Sequence, residues 1–234
     1  MSKRTIRTAA MCIGCGSSSV FDITFDLIET KTSQELITYP DFAVNPLVVY
    51  CENCNRRMIN VDPLIADSLA KLNHMGYGTD YSCEGHWRKK AGIVRDPETH
   101  SPTFKVGYEL MMPCVLFDRE LIFSKVKTIY ETCLEINEDH PEWKVVPKLQ
   151  TVRANEQTHK SEVHTIVPKA LDTSTWKALR AIRGIHLWVG AKRPTELDRY
   201  NSTDDMDYDV GYGLALEMTQ DFNQFLRELV IRLQ

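Results

Sequence analysis

No stretch of this 234-residue chain approaches the ~20 consecutive apolar residues that a membrane-spanning helix requires. The first residues, M-S-K-R-T-I-R-T, lack the apolar core of a signal peptide. A soluble, cytoplasmic protein is therefore expected. Net charge is slight, −4, so the bulk count signals neither nucleic-acid nor membrane affinity, although it is blind to local patches. Neither an internal repeat nor a low-complexity linker is visible. The seven cysteines are odd in number, unlike the even set of a small secreted disulfide framework. A reducing compartment with a metal site is the better reading.

What is present is a globular composition, 43% hydrophobic and 26% charged, long enough for one large core or for a core plus a small module. Four of the cysteines form two C-x-x-C pairs, M-C-I-G-C-G-S (Cys12, Cys15) and Y-C-E-N-C-N-R (Cys51, Cys54). Two intervening residues let a tight turn aim both sulfurs at one ion about 2.3 Å away, and two such turns complete the tetrahedron that Zn²⁺ accepts. Gly14, Gly16, Asn53 and Asn55 can take the left-handed backbone such turns use. Alternating segments at 20–28 and 45–50 read as strands, so the two knuckles predict a zinc ribbon over residues 1–60. Four thiolates leave no open coordination position, so the ion is expected to be structural. Lys3, Arg4, Arg7, Arg56 and Arg57 can offset the charge of the thiolates or face phosphate.

Residues 61–234 read as an α+β domain with a mostly antiparallel sheet. Its first helix is expected over 62–76, with Asp62 as N-cap, Pro63 at the first helical position, and Gly76 at the end. Ile65, Leu69, Leu72 and Met75 form its apolar stripe, with His74 at the boundary. Strands follow at 79–83 and 103–112, separated by a polar loop. A helix is read at 119–137, then a hairpin at 143–152 and 161–168. Next come a short helix at 174–183, capped by Ser174 and closed by Gly184, a strand at 185–189, and a last helix at 214–233. Cys114 and Cys133 read as core thiols. The acidic stretch D-D-M-D-Y-D-V-G-Y-G (204–213) places Asp205, Asp207 and Asp209 as a calcium loop would. Val210 and Leu216, however, stand where that loop needs glycine and glutamate.

The stretch Y-S-C-E-G-H-W-R-K-K (81–90) gathers a thiol, a carboxylate and an imidazole, with a glycine between and three cations after. Four readings are open. Cys83 is a nucleophile activated by His86, with Glu84 beside them as a further catalytic candidate. Cys83 and His86 supply half of a second metal site, completed by His159 and His164. Ser82 and Gly85 shape a nest that binds a nucleotide, a nucleic acid or another anion, with Arg88, Lys89 and Lys90 around it. Or the stretch is a structural turn, with Cys83 buried and Glu84 paired to a cation.

The run L-N-H-M-G-Y-G-T-D-Y-S-C-E-G-H (72–86) resembles a motif of small bacterial and phage proteins in which a helix ending L-N-x-x-G-Y leads into a strand ending S-C-x-G-H. More remotely, residues 61–86 are similar to the wybutosine-synthesis tRNA methyltransferase family, whose strand ends serine-serine-cysteine-serine-glycine-arginine. Ser82, Cys83 and Gly85 carry over, while Tyr81, Glu84 and His86 replace a serine, a serine and the arginine. The resemblance implies an α+β fold and, for the second family, action on tRNA with S-adenosylmethionine. The sequence thus predicts a zinc-binding α+β protein that binds nucleic acid or a nucleotide near the S-C-E-G-H turn. The alternatives are a nucleic-acid or nucleotide modification enzyme using Cys83, Glu84 and His86, and a regulatory module that docks a host protein.

Overall fold

The computed structural model describes residues 3–26, 48–95, 102–155, 160–166, 169–182, 185–199 and 206–234. It is an α+β fold in which every strand pairing is antiparallel among the described residues. The front of the chain is a three-stranded sheet of β1 (Lys3–Met11), β2 (Ser18–Asp26) and β3 (Ile59–Val61), in the order β2-β1-β3. Sequence periodicity located β2, but β1 and β3 lie outside the two segments read as strands. β1 is masked by its arginines and threonines. It earns its central place through Ala9 and Ala10, which are fully buried and small enough for close packing. Of the segment read as a strand at 45–50, residues 45–47 lie outside the described ones, and Tyr50 forms an isolated bridge with Arg57.

The body is a five-stranded sheet in the order β4-β7-β10-β8-β9. Its strands are β4 (Thr79–Cys83), β7 (Cys114–Phe117), β8 (Val145–Asn155), β9 (Lys160–Ile166) and β10 (Ile185–Ala191). Among the described residues four α-helices accompany it: α1 (Ala66–His74), α2 (Phe123–Asp139), α3 (Thr173–Arg180) and α4 (Tyr208–Leu233). Register puts Val115, Val189 and Pro147 in one row across the sheet, and Leu187, Leu149 and Ile166 in the next. Residues of both rows pack with Leu69, Leu72, Ile129, Ile136, Phe222 and Phe225 from the helices, forming the main core. A second, smaller core holds Ala10, Cys12, Cys51 and Met58. Among the described residues no helix is long and apolar enough to cross a membrane.

Four helix starts differ from expectation, and at each a carboxylate's hydrogen bond is involved. α1 begins at Ala66, because Asp62 accepts the backbone N–H of Glu84 at 2.9 Å instead of capping. α2 begins at Phe123, because Asp118 accepts the Glu120 N–H and holds 118–121 as a turn. α3 is capped by Asp172, which accepts the N–H of Thr175 at 2.6 Å; the Ser174 hydroxyl donates to the same oxygen. Gly184 lies outside the described residues. α4 starts six residues early, at Tyr208. Asp207 caps it by accepting the Asp209 N–H, so this part of the acidic stretch is a helix start rather than a cation loop. Asp205 lies outside the described residues.

The largest departure is at the polar loop expected after residue 83. Its first half is a strand, β5 (His86–Arg95), paired over ten residues with β6 (Pro102–Met111) in a two-stranded sheet of its own. β4 runs into β5 and β6 into β7, so the two pairs form one long hairpin, broken where Glu84–Gly85 faces Met112–Pro113. Pro113 has no N–H for the ladder. Gly85 takes φ +86°, and a Cβ there would stand 2.6 Å from the Pro113 ring. The glycine is thus required by a close approach of two strands at a kink.

Candidate metal centre and the S-C-E-G-H kink

The two C-x-x-C turns are built alike. In each, the residue after the second cysteine is left-handed: Gly16 at φ +72° and Asn55 at φ +54°. Each sends its N–H back to the carbonyl of the first cysteine, Gly16 to Cys12 at 3.0 Å and Asn55 to Cys51 at 2.8 Å. The first cysteine's own N–H closes the turn on Ser17 and Arg56, respectively, both at 2.8 Å. Gly14 and Asn53 are not left-handed. At Gly14 a Cβ would stand 2.8 Å from the Arg56 Cδ.

This geometry brings the sulfurs of Cys12, Cys15, Cys51 and Cys54 within 4.8 Å of one another. Cys12 and Cys54 stand 3.4 Å apart, and Cys15 and Cys51 3.5 Å. A tetrahedron with metal–sulfur bonds of about 2.3 Å has sulfur–sulfur edges of roughly 3.8 Å, so the four thiols can hold a metal ion with small adjustments. The Ser17 hydroxyl lies 3.1 Å from the Cys15 sulfur and 3.3 Å from that of Cys51. It lowers Cys51 to about 6 and also lowers Cys15. At Cys54 the Arg56 backbone N–H pulls downward, but Cys12, desolvation and the other two thiols outweigh it and hold the group near 11. Four adjacent thiols resist joint ionisation, and a cation at their centre removes that resistance. The centre is tied to the body by His74, whose Nδ1 donates to the Gly14 carbonyl at 3.1 Å.

At the S-C-E-G-H stretch, Cys83 is buried and its sulfur lies 4.0 Å from His86 Nδ1. Across the ladder Cys83 faces Cys114, which burial and then the nearby Cys83 push up to about 11. Burial also pushes the Glu84 carboxyl above its ordinary range; the Leu64 N–H pulls it partly back and Asp62 adds to the rise. Glu84 accepts that Leu64 N–H at 2.9 Å and makes no ion pair among the described residues.

Two N–H groups of the turn are engaged: Glu84 donates to Asp62, and Gly85 to the Cys83 sulfur at 3.4 Å. Ser82 lines a cleft of about 360 Å³ between β3 and β4 whose other walls include the carboxylates of Asp62 and Asp80. Arg88, Lys89 and Lys90 lie on β5, opposite Glu109, Tyr108 and Gly107. His159 lies outside the described residues, and His164 is placed on β9 opposite Thr151. Among the described residues no second group of three metal-ligating side chains gathers.

Sequence reasoning missed Ser17, the shared partner of two of the four clustered sulfurs; its position just past the first knuckle was the available signal. It missed Trp87 and Tyr108 as well, because the strands carrying them were not both recognised. No family model, curated protein or solved structure matches this chain.

Proposed function

We propose that this is a zinc-stabilised nucleic-acid-binding protein. Zn²⁺ held by Cys12, Cys15, Cys51 and Cys54 organises the front sheet, and the β5–β6 ribbon meets the phosphate backbone. The zinc assignment follows from an all-thiolate tetrahedral donor set, which suits a structural ion and leaves no coordination position for substrate. It fits a reducing compartment, where seven free thiols persist.

The observation that carries the nucleic-acid reading is charge segregation. The chain as a whole is at −4, yet the twenty paired residues of β5 and β6 hold five cations (Arg88, Lys89, Lys90, Arg95 and Lys105) against one carboxylate, Glu109. Among the described residues they sit on a two-stranded sheet that joins no other. Cations concentrated on an extended element form the footprint that phosphate binding needs. The test is fluorescence anisotropy with labelled oligonucleotides across a salt series. Affinity should fall steeply with salt, and Arg88→Ala with Lys89→Ala should flatten the slope by between one and two counterions. Unchanged binding in that variant would remove the ribbon from the function.

The 4.0 Å approach of Cys83 to His86 favours a second reading, a nucleic-acid or nucleotide modification enzyme using Cys83, Glu84 and His86. In that case iodoacetamide should label Cys83 faster at neutral pH than in an unfolded reference, and His86→Ala should abolish the difference. Labelling slower than in the unfolded chain would leave Cys83 a core thiol.

A further inference from the structure

We infer that the nucleic acid held by the β5–β6 ribbon is single-stranded, with bases stacked on Tyr208 and Tyr212 at the start of α4. The inference rests on the ribbon reading above and adds the class of ligand. The first turns of α4 expose a face that later turns of the helix bury: Tyr208 is 49% exposed and Tyr212 53%, with Leu216 one turn further at 45%. The two tyrosines are four residues apart, on one side of the helix. Their rings are nearly parallel, 11° between planes and 6.1 Å between centroids.

This face adjoins one face of the ribbon, where Trp87 and Tyr108 share their side with the positions of Lys89 and Arg95, while Arg88, Lys90 and Lys105 hold positions of the opposite side. Tyr108 of β6 meets Tyr208 edge-on at 5.3 Å and stacks on Trp87 of β5 at 5.5 Å. Trp87 is in turn seated against Gly211, where a Cβ would lie 2.5 Å from the indole. A row of four aromatic rings therefore runs from the root of a strongly cationic strand pair to an open helix face. Exposed ring faces beside backbone-binding cations are how proteins hold single strands, whose unpaired bases have free π-faces to offer.

A duplex keeps its bases stacked on one another and has no use for these rings. Charge also separates the two ligands. Asp207 and Asp209 flank Tyr208 on the helix start. A duplex laid there would bring phosphates against those carboxylates, whereas a single strand can run its phosphates along the ribbon and turn its bases to the tyrosines.

The test uses the full chain and one labelled sequence of about 20 nucleotides, longer than a typical single-strand site, as DNA and RNA single strands and as the DNA duplex. Tyr208→Ala with Tyr212→Ala should weaken single-strand binding about tenfold or more while leaving the salt slope unchanged. Tyr208→Phe with Tyr212→Phe should keep it, because stacking needs the ring and not the hydroxyl. Circular dichroism of each variant guards against a folding effect. Duplex bound as tightly as single strand, or an alanine pair that folds and binds like the parent, overturns the inference while leaving the ribbon reading in place. Absence of salt-sensitive binding to any of the oligonucleotides overturns both, and leaves the exposed tyrosines as a protein-docking face.

Discussion

Thr219, buried midway along α4, directs its hydroxyl to the carbonyl of Gly85 at 3.1 Å, joining residues 134 apart in sequence. The same hydroxyl lies 2.8 Å from the Ala215 carbonyl of its own helix. The kink between β4 and β5 is therefore clamped from two sides, by α4 on the carbonyl of Gly85 and by Pro113 against its Cα. Gly85→Ala should lower stability by about 1–3 kcal/mol, since a left-handed backbone and a 2.6 Å contact both oppose a methyl group. Thr219→Val keeps the shape, removes the donor and should cost about 1 kcal/mol. Urea denaturation of both variants checks this, and a Gly85→Ala protein as stable as its parent would mean that the kink relaxes freely.

A metal prediction follows from the separation of the two cores. The thiols sit in the small cluster with Ala10 and Met58, while α1–α4 pack on the five-stranded sheet in the large one. One zinc per chain should be released when an organomercurial titrates the thiols, detected by a colorimetric chelator. Removal should unfold the knuckles, yet leave most of the helical circular dichroism, because little helix touches the small core. Cys12→Ser should behave like the metal-depleted protein. Purified protein carrying no stoichiometric metal would contradict the assignment of the site.

How far the sequence could be read follows from which interactions are local. The four-cysteine cluster was legible because a two-residue spacer and a left-handed residue after it are properties of a short peptide. α2 and the later part of α4 were legible because Ile129, Ile136, Phe222 and Phe225 repeat at helical spacing toward one core. The start of α1 was not, because its deciding partner is distant: Asp62 is claimed by Glu84, 22 residues away. The starts of α2, α3 and α4 rest on local bonds to Asp118, Asp172 and Asp207, two or three residues from their donors, among several polar residues that could equally have served. β5 was invisible as a strand because R-K-K-A-G-I-V-R shows no regular alternation of apolar and polar residues. The cations were visible, but their gathering on one strand of a separate ribbon depended on its pairing with β6.

Two carboxylates give stability opposite dependences on pH. Glu84 is raised in the fold, chiefly by burial, so its protonated form is favoured there. Its contribution is complete below the ordinary carboxylate range and is lost as pH rises through the raised value. Asp172 is lowered to about 2, first by the Thr175 backbone N–H, so its contribution is present at neutral pH and lost as pH falls through about 2. Urea midpoints measured against pH should therefore show Glu84→Gln removing a loss on the alkaline side of the carboxylate range. Asp172→Asn should remove a loss at the acid end. Curves that coincide with the parent's would show that neither environment differs from the unfolded chain.

The two glycines of α4's first turns separate helix propensity from packing. Around Gly213 nothing lies within 4 Å of where a Cβ would stand, so Gly213→Ala should stabilise the protein by about 0.5–1 kcal/mol through the lower entropy of the unfolded backbone. At Gly211 the same intrinsic gain is available, but the added methyl would meet the Trp87 indole at 2.5 Å. That ring cannot shift alone, because it stacks on Tyr108, which in turn abuts Tyr208. Gly211→Ala should therefore destabilise and change the fluorescence of Trp87, whereas Gly213→Ala should leave the emission alone. If both substitutions raised the denaturation midpoint equally, the root of the ribbon would not be seated on α4, and the aromatic row that links cations to tyrosines would lose its anchor.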